Sequence, residues 1–112
     1  MIADDLKQRA ESFAFDVIQI CLDLGPDALG QLVQPQLLRA GTGVATNYRA
    51  ARRSRSSREF AARLGVVVEE ADESEFWLAV LVKFKRCPTA VSPVHAESQA
   101  LRAFCPAMTN AR

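Results

Sequence analysis

The sequence predicts an all-α fold, an antiparallel up-and-down four-helix bundle. Three observations carry this. Apolar residues recur at alternating steps of four and three in three long segments. Two of the expected helices begin behind a serine suited to cap them. No stretch reads securely as a strand. The nearest, "LGVVVEE" from Leu64 to Glu70, lies inside a sustained heptad pattern. The chain has 112 residues, 49% of them apolar, which suits a single domain over 1–112. So short a domain buries a modest share of its surface, and association of copies is one way to extend its core.

The first helix is expected at 4–24. Leu6, Ala10, Phe13, Val17, Ile20 and Leu24 form its stripe, and Gly25-Pro26 stops it. The second is expected at 28–52. Leu29, Leu32 and Val33 lead into Pro35, which removes a backbone donor and places a kink there. Beyond it Leu37, Gly41, Val44, Tyr48 and Ala51 resume the stripe. Gly41 and Gly43 each cost up to ~1 kcal/mol inside a helix, so a close helix–helix approach is the reason to keep them.

The third helix is expected at 57–86. Ser56-Ser57-Arg58-Glu59 reads as a capping box, in which the Glu59 carboxylate reaches back to the Ser56 amide. Phe60, Leu64, Val67, Ala71, Ser74, Leu78 and Leu81 carry the stripe. From Phe76 to Val82 every side of the cylinder is apolar, and a helix apolar all round is buried all round. Phe76, Trp77, Val80 and Phe84 are therefore candidates for an interface between copies, since one small bundle cannot cover them. The fourth helix is expected at 92–105. Ser92 serves as its N-cap and Pro93 as its first residue; Val94, Leu101 and Phe104 face inward, and Pro106 closes it.

Net charge is +1, but it comes in blocks. The stretch "YRAARRSRSSREF", Tyr48 to Phe60, holds Arg49, Arg52, Arg53, Arg55 and Arg58 against Glu59. It is followed by Glu69, Glu70, Asp72, Glu73 and Glu75 with no basic residue among them. Two partners fit the arginines: phosphate, through contacts that do not read sequence, or the acidic block on a neighbouring helix or copy. Arg58 opposes the dipole at a helix start, so a partner explains it better than helix stability does. Arg52, Arg53 and Arg55 at the exposed corner suit phosphate, and Arg58 and Arg63 suit assembly.

Other chemistry finds little support. Cys21, Cys87 and Cys105 are widely spaced and make no CxxC pair, which suits reduced thiols and core filling. His95 is the single histidine and has no ligand spacing around it, so no metal is expected. Gly41-Thr42-Gly43 lacks the Lys-Ser/Thr of a phosphate loop. Asn47 with Glu70 and Glu73 can be read as a catalytic carboxylate held by an amide or as a structural polar network that fixes helix register. With no nucleophile, metal set or second acid beside them, the structural reading is preferred. Trp77 and Phe76 suit packing better than base stacking, being far from the arginines. No basic-then-apolar leader opens the chain and no apolar run is long enough for a membrane, so a cytoplasmic protein with no cofactor and no small-molecule substrate is expected.

The centre of the chain resembles a known family. The elements are Gln36–Arg39, Gly41-Thr42, Asn47-Tyr48-Arg49, Ser56, Glu59-Phe60, Glu70 with Asp72-Glu73, and Trp77-Leu78, in order over about the middle 45 residues. They are similar to the bacterial four-helix-bundle proteins encoded by intervening sequences of 23S rRNA genes. A small residue is usual in that family at Thr46, and a glutamate at Ala50. The resemblance implies a bundle that assembles into a ring-shaped homo-oligomer, a pentamer. It also implies kinship with an accessory protein of diversity-generating retroelements, in which a basic ring contacts nucleic acid. The expected function is thus a non-enzymatic oligomeric bundle that binds RNA or DNA through Arg49, Arg52, Arg53, Arg55 and Arg58. The alternative is a structural or protein-interaction scaffold that binds no nucleic acid.

Overall fold

The computed structural model describes the backbone of residues 2–107 and the side chains of residues 5–104. Four helices follow one another: α1 (Ile2–Asp23), α2 (Ala28–Arg52), α3 (Ser57–Lys83) and α4 (Pro88–Ala107). No strand occurs among the described residues. Each helix packs on the next in the chain, and α4 closes more loosely on α1. The result is an up-down-up-down bundle, 45 × 20 × 18 Å, with α1 diagonal to α3 and α2 diagonal to α4. One end holds the α2–α3 corner and the start of α1. The other holds the α1–α2 and α3–α4 corners.

The expected stripes form the core. Phe13 and Val17 of α1, Leu37, Val44 and Tyr48 of α2, Leu64, Val67, Leu78 and Leu81 of α3, and Val91 and Leu101 of α4 are all essentially sealed from solvent. Gly41 explains itself here: a Cβ on it would lie 2.6–2.9 Å from Cγ1, Cγ2 and Cβ of Val17, closer than atoms pack. The missing side chain lets α1 and α2 approach. α2 runs unbroken through Pro35. Both Pro35 and the Gln31 carbonyl it leaves without a donor lie on the exposed side, where water can take that carbonyl.

Two helix ends differ from expectation. α3 stops at Lys83 rather than near 86. Lys85 adopts a left-handed backbone, φ 55°, and the amides of Lys85 and Arg86 turn back to the carbonyls of Val82 and Leu81 at 3.1 and 2.9 Å. This pair of bonds is a Schellman end, which glycine usually supplies. α4 starts at Pro88, four residues before Ser92. Pro88 takes the first helical position, and the Cys87 carbonyl accepts from the amides of Ala90 and Val91 at 3.1 and 3.0 Å. Pro93 falls instead in the exposed second turn, where its missing N–H is again a matter for solvent.

Phe104 also departs from expectation. The inward positions of α4 are Val91, Val94, Ser98 and Leu101, stepping by three, four and three. Phe104, three residues after the inward Leu101, sits beside the stripe and is 48% exposed. Its ring lies under the Arg9 guanidinium, 4.8 Å from the centroid. Cys105 lies outside the residues whose side chains are described, and α4 continues through Pro106 to Ala107. The apolar run at the end of α3 divides as well. Leu78 and Leu81 are buried, while Phe76 and Val82 are exposed and Trp77, Ala79 and Val80 half-buried.

Candidate nucleic-acid interface

The basic residues meet at the α2–α3 corner. α2 ends there through Arg53 and Ser54 amides bonded to the Ala50 and Ala51 carbonyls at 3.1 and 3.0 Å. α3 begins at once with Ser56 as N-cap, its Oγ accepting from the Glu59 amide at 3.0 Å. The other half of the expected box is displaced by one residue: Glu59 Oε2 accepts from the Arg55 amide at 3.4 Å, not from Ser56. Two caps separated by so few residues fix the corner. Ser54 turns inward and is buried, which leaves Arg53, Arg55 and Arg58 turned outward and exposed.

Two open depressions flank Arg53. One, about 280 Å³, is lined by Lys7, Arg49, Arg52 and Arg53. The other, about 450 Å³, is lined by Ala50, Arg53, Arg55, Glu59 and Arg63. Of these cations, Arg49 reaches Glu11 at 3.0 Å and Arg63 reaches Glu59 at 3.1 Å. Arg53, Arg55 and Arg58 make no ion pair with a described residue. The first turn of α3 beneath them carries the positive end of a helix dipole, which adds to the local potential.

The acidic block takes its partners elsewhere. Arg39 of α2 bonds Glu73 and lies 3.9 Å from Glu70. Arg102 of α4 reaches Asp72 at 2.8 Å and Glu75 at 3.3 Å, and His95 Nε2 lies 3.0 Å from Glu75. Within the chain Arg53, Arg55 and Arg58 are therefore not partners of the carboxylates from Glu70 to Glu75. The residues that bond the block, Arg39, Arg102 and His95, are distant in sequence and were not paired with it by pattern alone.

Asn47, Glu70 and Glu73 do come close, but not as one hydrogen-bonded set. Arg39 joins the two carboxylates. The Asn47 amide donates to the Gly43 carbonyl one turn back, at 2.8 Å. The Glu70 carboxylate lies directly over Gly43, in the space a Cβ would occupy. Burial there pushes the Glu70 carboxyl above its ordinary range, with Arg39 opposing. Arg39 bonded to Glu73 and beside Glu70 ties α2 to α3.

Phe76 and Phe84 are 57% and 65% exposed, and Trp77 and Val80 are half-buried against the core. The rings of Phe76 and Trp77 meet edge to face, 4.9 Å between centroids. This cluster lies at the end opposite the arginines. The most exposed large apolar residues among those described, Phe15 at 67% and Leu22 at 70%, lie on α1. Their signal was present as a second stripe, Phe15, Ile18 and Leu22, beside the core stripe. Among the described residues no group of three His, Cys, Asp or Glu could hold a metal, and no helix is long and apolar enough to cross a membrane. Burial raises the Cys21 thiol to about 11.

No family model matches the chain, and no curated protein matches it. Among solved structures, one is similar over 98% of this chain and 99% of its own, with a TM-score of 0.84 at 21% identity. It is a crystal structure described as a protein of unknown function from the S23 ribosomal protein family of Bacteroides thetaiotaomicron VPI-5482. At that identity the likeness is one of fold: the chain shares its four-helix bundle.

Proposed function

We propose that this chain is a non-enzymatic, self-assembling bundle of the 23S rRNA intervening-sequence type that binds the phosphate backbone of RNA or DNA through its α2–α3 corner. The observation that supports it best is the division of the charges. Four of the five carboxylates of the acidic block, Glu70, Asp72, Glu73 and Glu75, already have partners within the chain in Arg39, Arg102 and His95. Arg53, Arg55 and Arg58 stand exposed on a corner held by two caps, beside two depressions lined mostly by cations. Guanidinium groups so presented suit phosphate oxygens, and contacts to phosphate carry no sequence information. Several copies would multiply a weak contact by bringing many corners to one strand. Family kinship is supported by the ordered central elements and by the fold shared with the S23 family protein.

Fluorescence anisotropy with labelled RNA and DNA of unrelated sequences tests the reading. Replacing Arg53, Arg55 and Arg58 together by Gln should weaken binding to every sequence alike, with helicity unchanged. Equal affinity for parent and variant at low salt would leave the corner without this role. No binding by the parent would favour the scaffold reading instead.

A further inference from the structure

We infer that the smaller depression, between α1 and α2, is a site for clustered phosphate, a di- or triphosphate group, distinct from the backbone contacts of the corner. An RNA 5′ end brings such a group only if the corner binds RNA as proposed above. A free polyphosphate reaches it regardless.

Every described residue that lines this depression is a cation: Lys7 of α1, and Arg49, Arg52 and Arg53 at the end of α2. Two antiparallel helices thus bring their cations to one opening of about 280 Å³. Glu11 holds two of them in place. Its Oε2 lies 3.0 Å from Arg49 Nη1 and 3.8 Å from Lys7 Nζ, so one carboxylate oxygen serves a residue from each helix. Lys7, Arg49 and Glu11 together keep a net positive charge, and Arg53 adds to it. The dipole at the end of α2 favours cations there and accounts in part for Arg49 and Arg52, but it asks for nothing from α1.

The neighbouring depression differs in kind. It is larger, about 450 Å³, and Glu59 stands in its wall, paired with Arg63 at 3.1 Å. A carboxylate there repels a dense anion. That side is left to single phosphodiesters passing over the exposed Arg55 and Arg58.

Charge density selects the ligand. Backbone phosphodiesters carry one charge each and are strung along the strand, which suits arginines spread over a corner. A terminal phosphate carries roughly 1.5–2 charges at neutral pH on three acceptor oxygens. Each further phosphate behind it adds another charge directly beside the first. Converging cations suit that arrangement. Arginine forks take two oxygens at a time, and the lysine ammonium acts as a point charge. Size limits how much of the ligand enters. Pockets that enclose a whole drug-sized ligand hold ~300–1,000 Å³, so this opening takes a phosphate chain and leaves sugar and base outside. No described lining residue is aromatic, so no base stacks there.

Two measurements test this. The first is fluorescence anisotropy with one short RNA, labelled at its 3′ end and carrying either a 5′-triphosphate or a 5′-hydroxyl. The second is thermal unfolding in tripolyphosphate, with sulfate at matched ionic strength as control. The parent should bind the triphosphate end at least about tenfold more tightly, the worth of one charge-assisted hydrogen bond. Tripolyphosphate should raise its unfolding temperature beyond the sulfate control. Both effects should shrink when Lys7→Gln and Arg49→Gln are combined, and return when Lys7→Arg and Arg49→Lys restore the charges. Lys7 is half-exposed and Arg49 exposed, so circular dichroism should find both double variants as helical as the parent. Stabilisation by tripolyphosphate without preference for the RNA end assigns the site to a free polyphosphate. A preferred triphosphate end that the Gln variant loses assigns it to RNA, whatever free tripolyphosphate does. Tripolyphosphate binding by a chain that binds no RNA upholds the site and overturns the corner reading. RNA bound equally with either end, with no stabilisation beyond sulfate, overturns the site and leaves the corner its backbone role. Effects undiminished in the Gln variant also overturn the site.

Discussion

Gly41→Ala isolates the closest approach in the bundle. The new methyl would meet Cγ1, Cγ2 and Cβ of Val17 at 2.6, 2.8 and 2.9 Å. A rotation about χ1 of Val17 can move the two methyls but not Cβ, which the backbone fixes, so α1 and α2 must separate. Overpacking of this kind costs ~1–3 kcal/mol, while alanine gains up to ~1 kcal/mol over glycine in a helix interior. The net loss is about 1–2 kcal/mol, or roughly 4–10 °C in Tm for a domain of this size. Gly65→Ala is the matched control. It lies in the interior of α3 with nothing within 4 Å of the added Cβ, so only the propensity gain of ~0.5–1 kcal/mol remains. Val17→Ala removes two of the three clashing atoms, so in a double-mutant cycle its own cost, about 2 kcal/mol, should shrink in the Gly41→Ala background. Urea unfolding followed by circular dichroism, at one fixed protomer concentration, measures all four proteins. If Gly41→Ala gained stability as Gly65→Ala does, the seam would not be as tight as described.

Lys85→Gly should stabilise the chain by about 0.5–1 kcal/mol, since it relieves a left-handed residue at the end of α3; unchanged thermal unfolding would contradict that end. Asp27 caps α2 through the Gly30 amide and clamps Arg86, whose hydrogen bond holds the carboxyl below its ordinary value of 3.8. A depressed carboxyl contributes stability above its unfolded pKa and loses it as pH falls through the folded one. Asp27→Asn should therefore flatten the acid limb of stability below about pH 4, and an unaltered limb would place the acid sensitivity elsewhere. Cys21, raised to about 11 from 9.0, should alkylate ~100-fold more slowly in the folded chain than its ordinary thiolate fraction allows. Half-buried Cys87 should react well before it, and equal rates by mass spectrometry would refute the burial.

The sequence made some of this legible and not the rest, for definite reasons. The core stripes of α1, α2 and α3 were readable because a helix repeats its inward side every three or four residues. Gly41 was readable as a close approach because its cost needed a reason. The start of α4 was not, because two proline signals compete within six residues, Pro88 and Pro93, and pattern alone does not rank them. Phe104 misled because a step of three from Leu101 is as regular as a step of four. At the basic corner the residues were visible at once, yet the lack of an ion pair with a described residue at Arg53, Arg55 and Arg58 was not. It depended on Arg39, Arg102 and His95 folding back onto the acidic block, and periodicity gives a residue's side of its helix but not its partner across the seam. The Phe15–Ile18–Leu22 stripe was overshadowed by the stronger core stripe beside it.

The most direct test of binding at the corner is the salt dependence of affinity for duplex DNA, parent against the variant with Arg53, Arg55 and Arg58 all replaced by Gln. Phosphate contacts release counterions, so log affinity should fall linearly with log salt, by ~0.9 for each contact. With one phosphate contact each, Arg53, Arg55 and Arg58 predict a slope for the parent about 2.7 steeper than for the variant, more if several copies share one duplex. The same flat slope for both proteins would contradict phosphate binding through this corner.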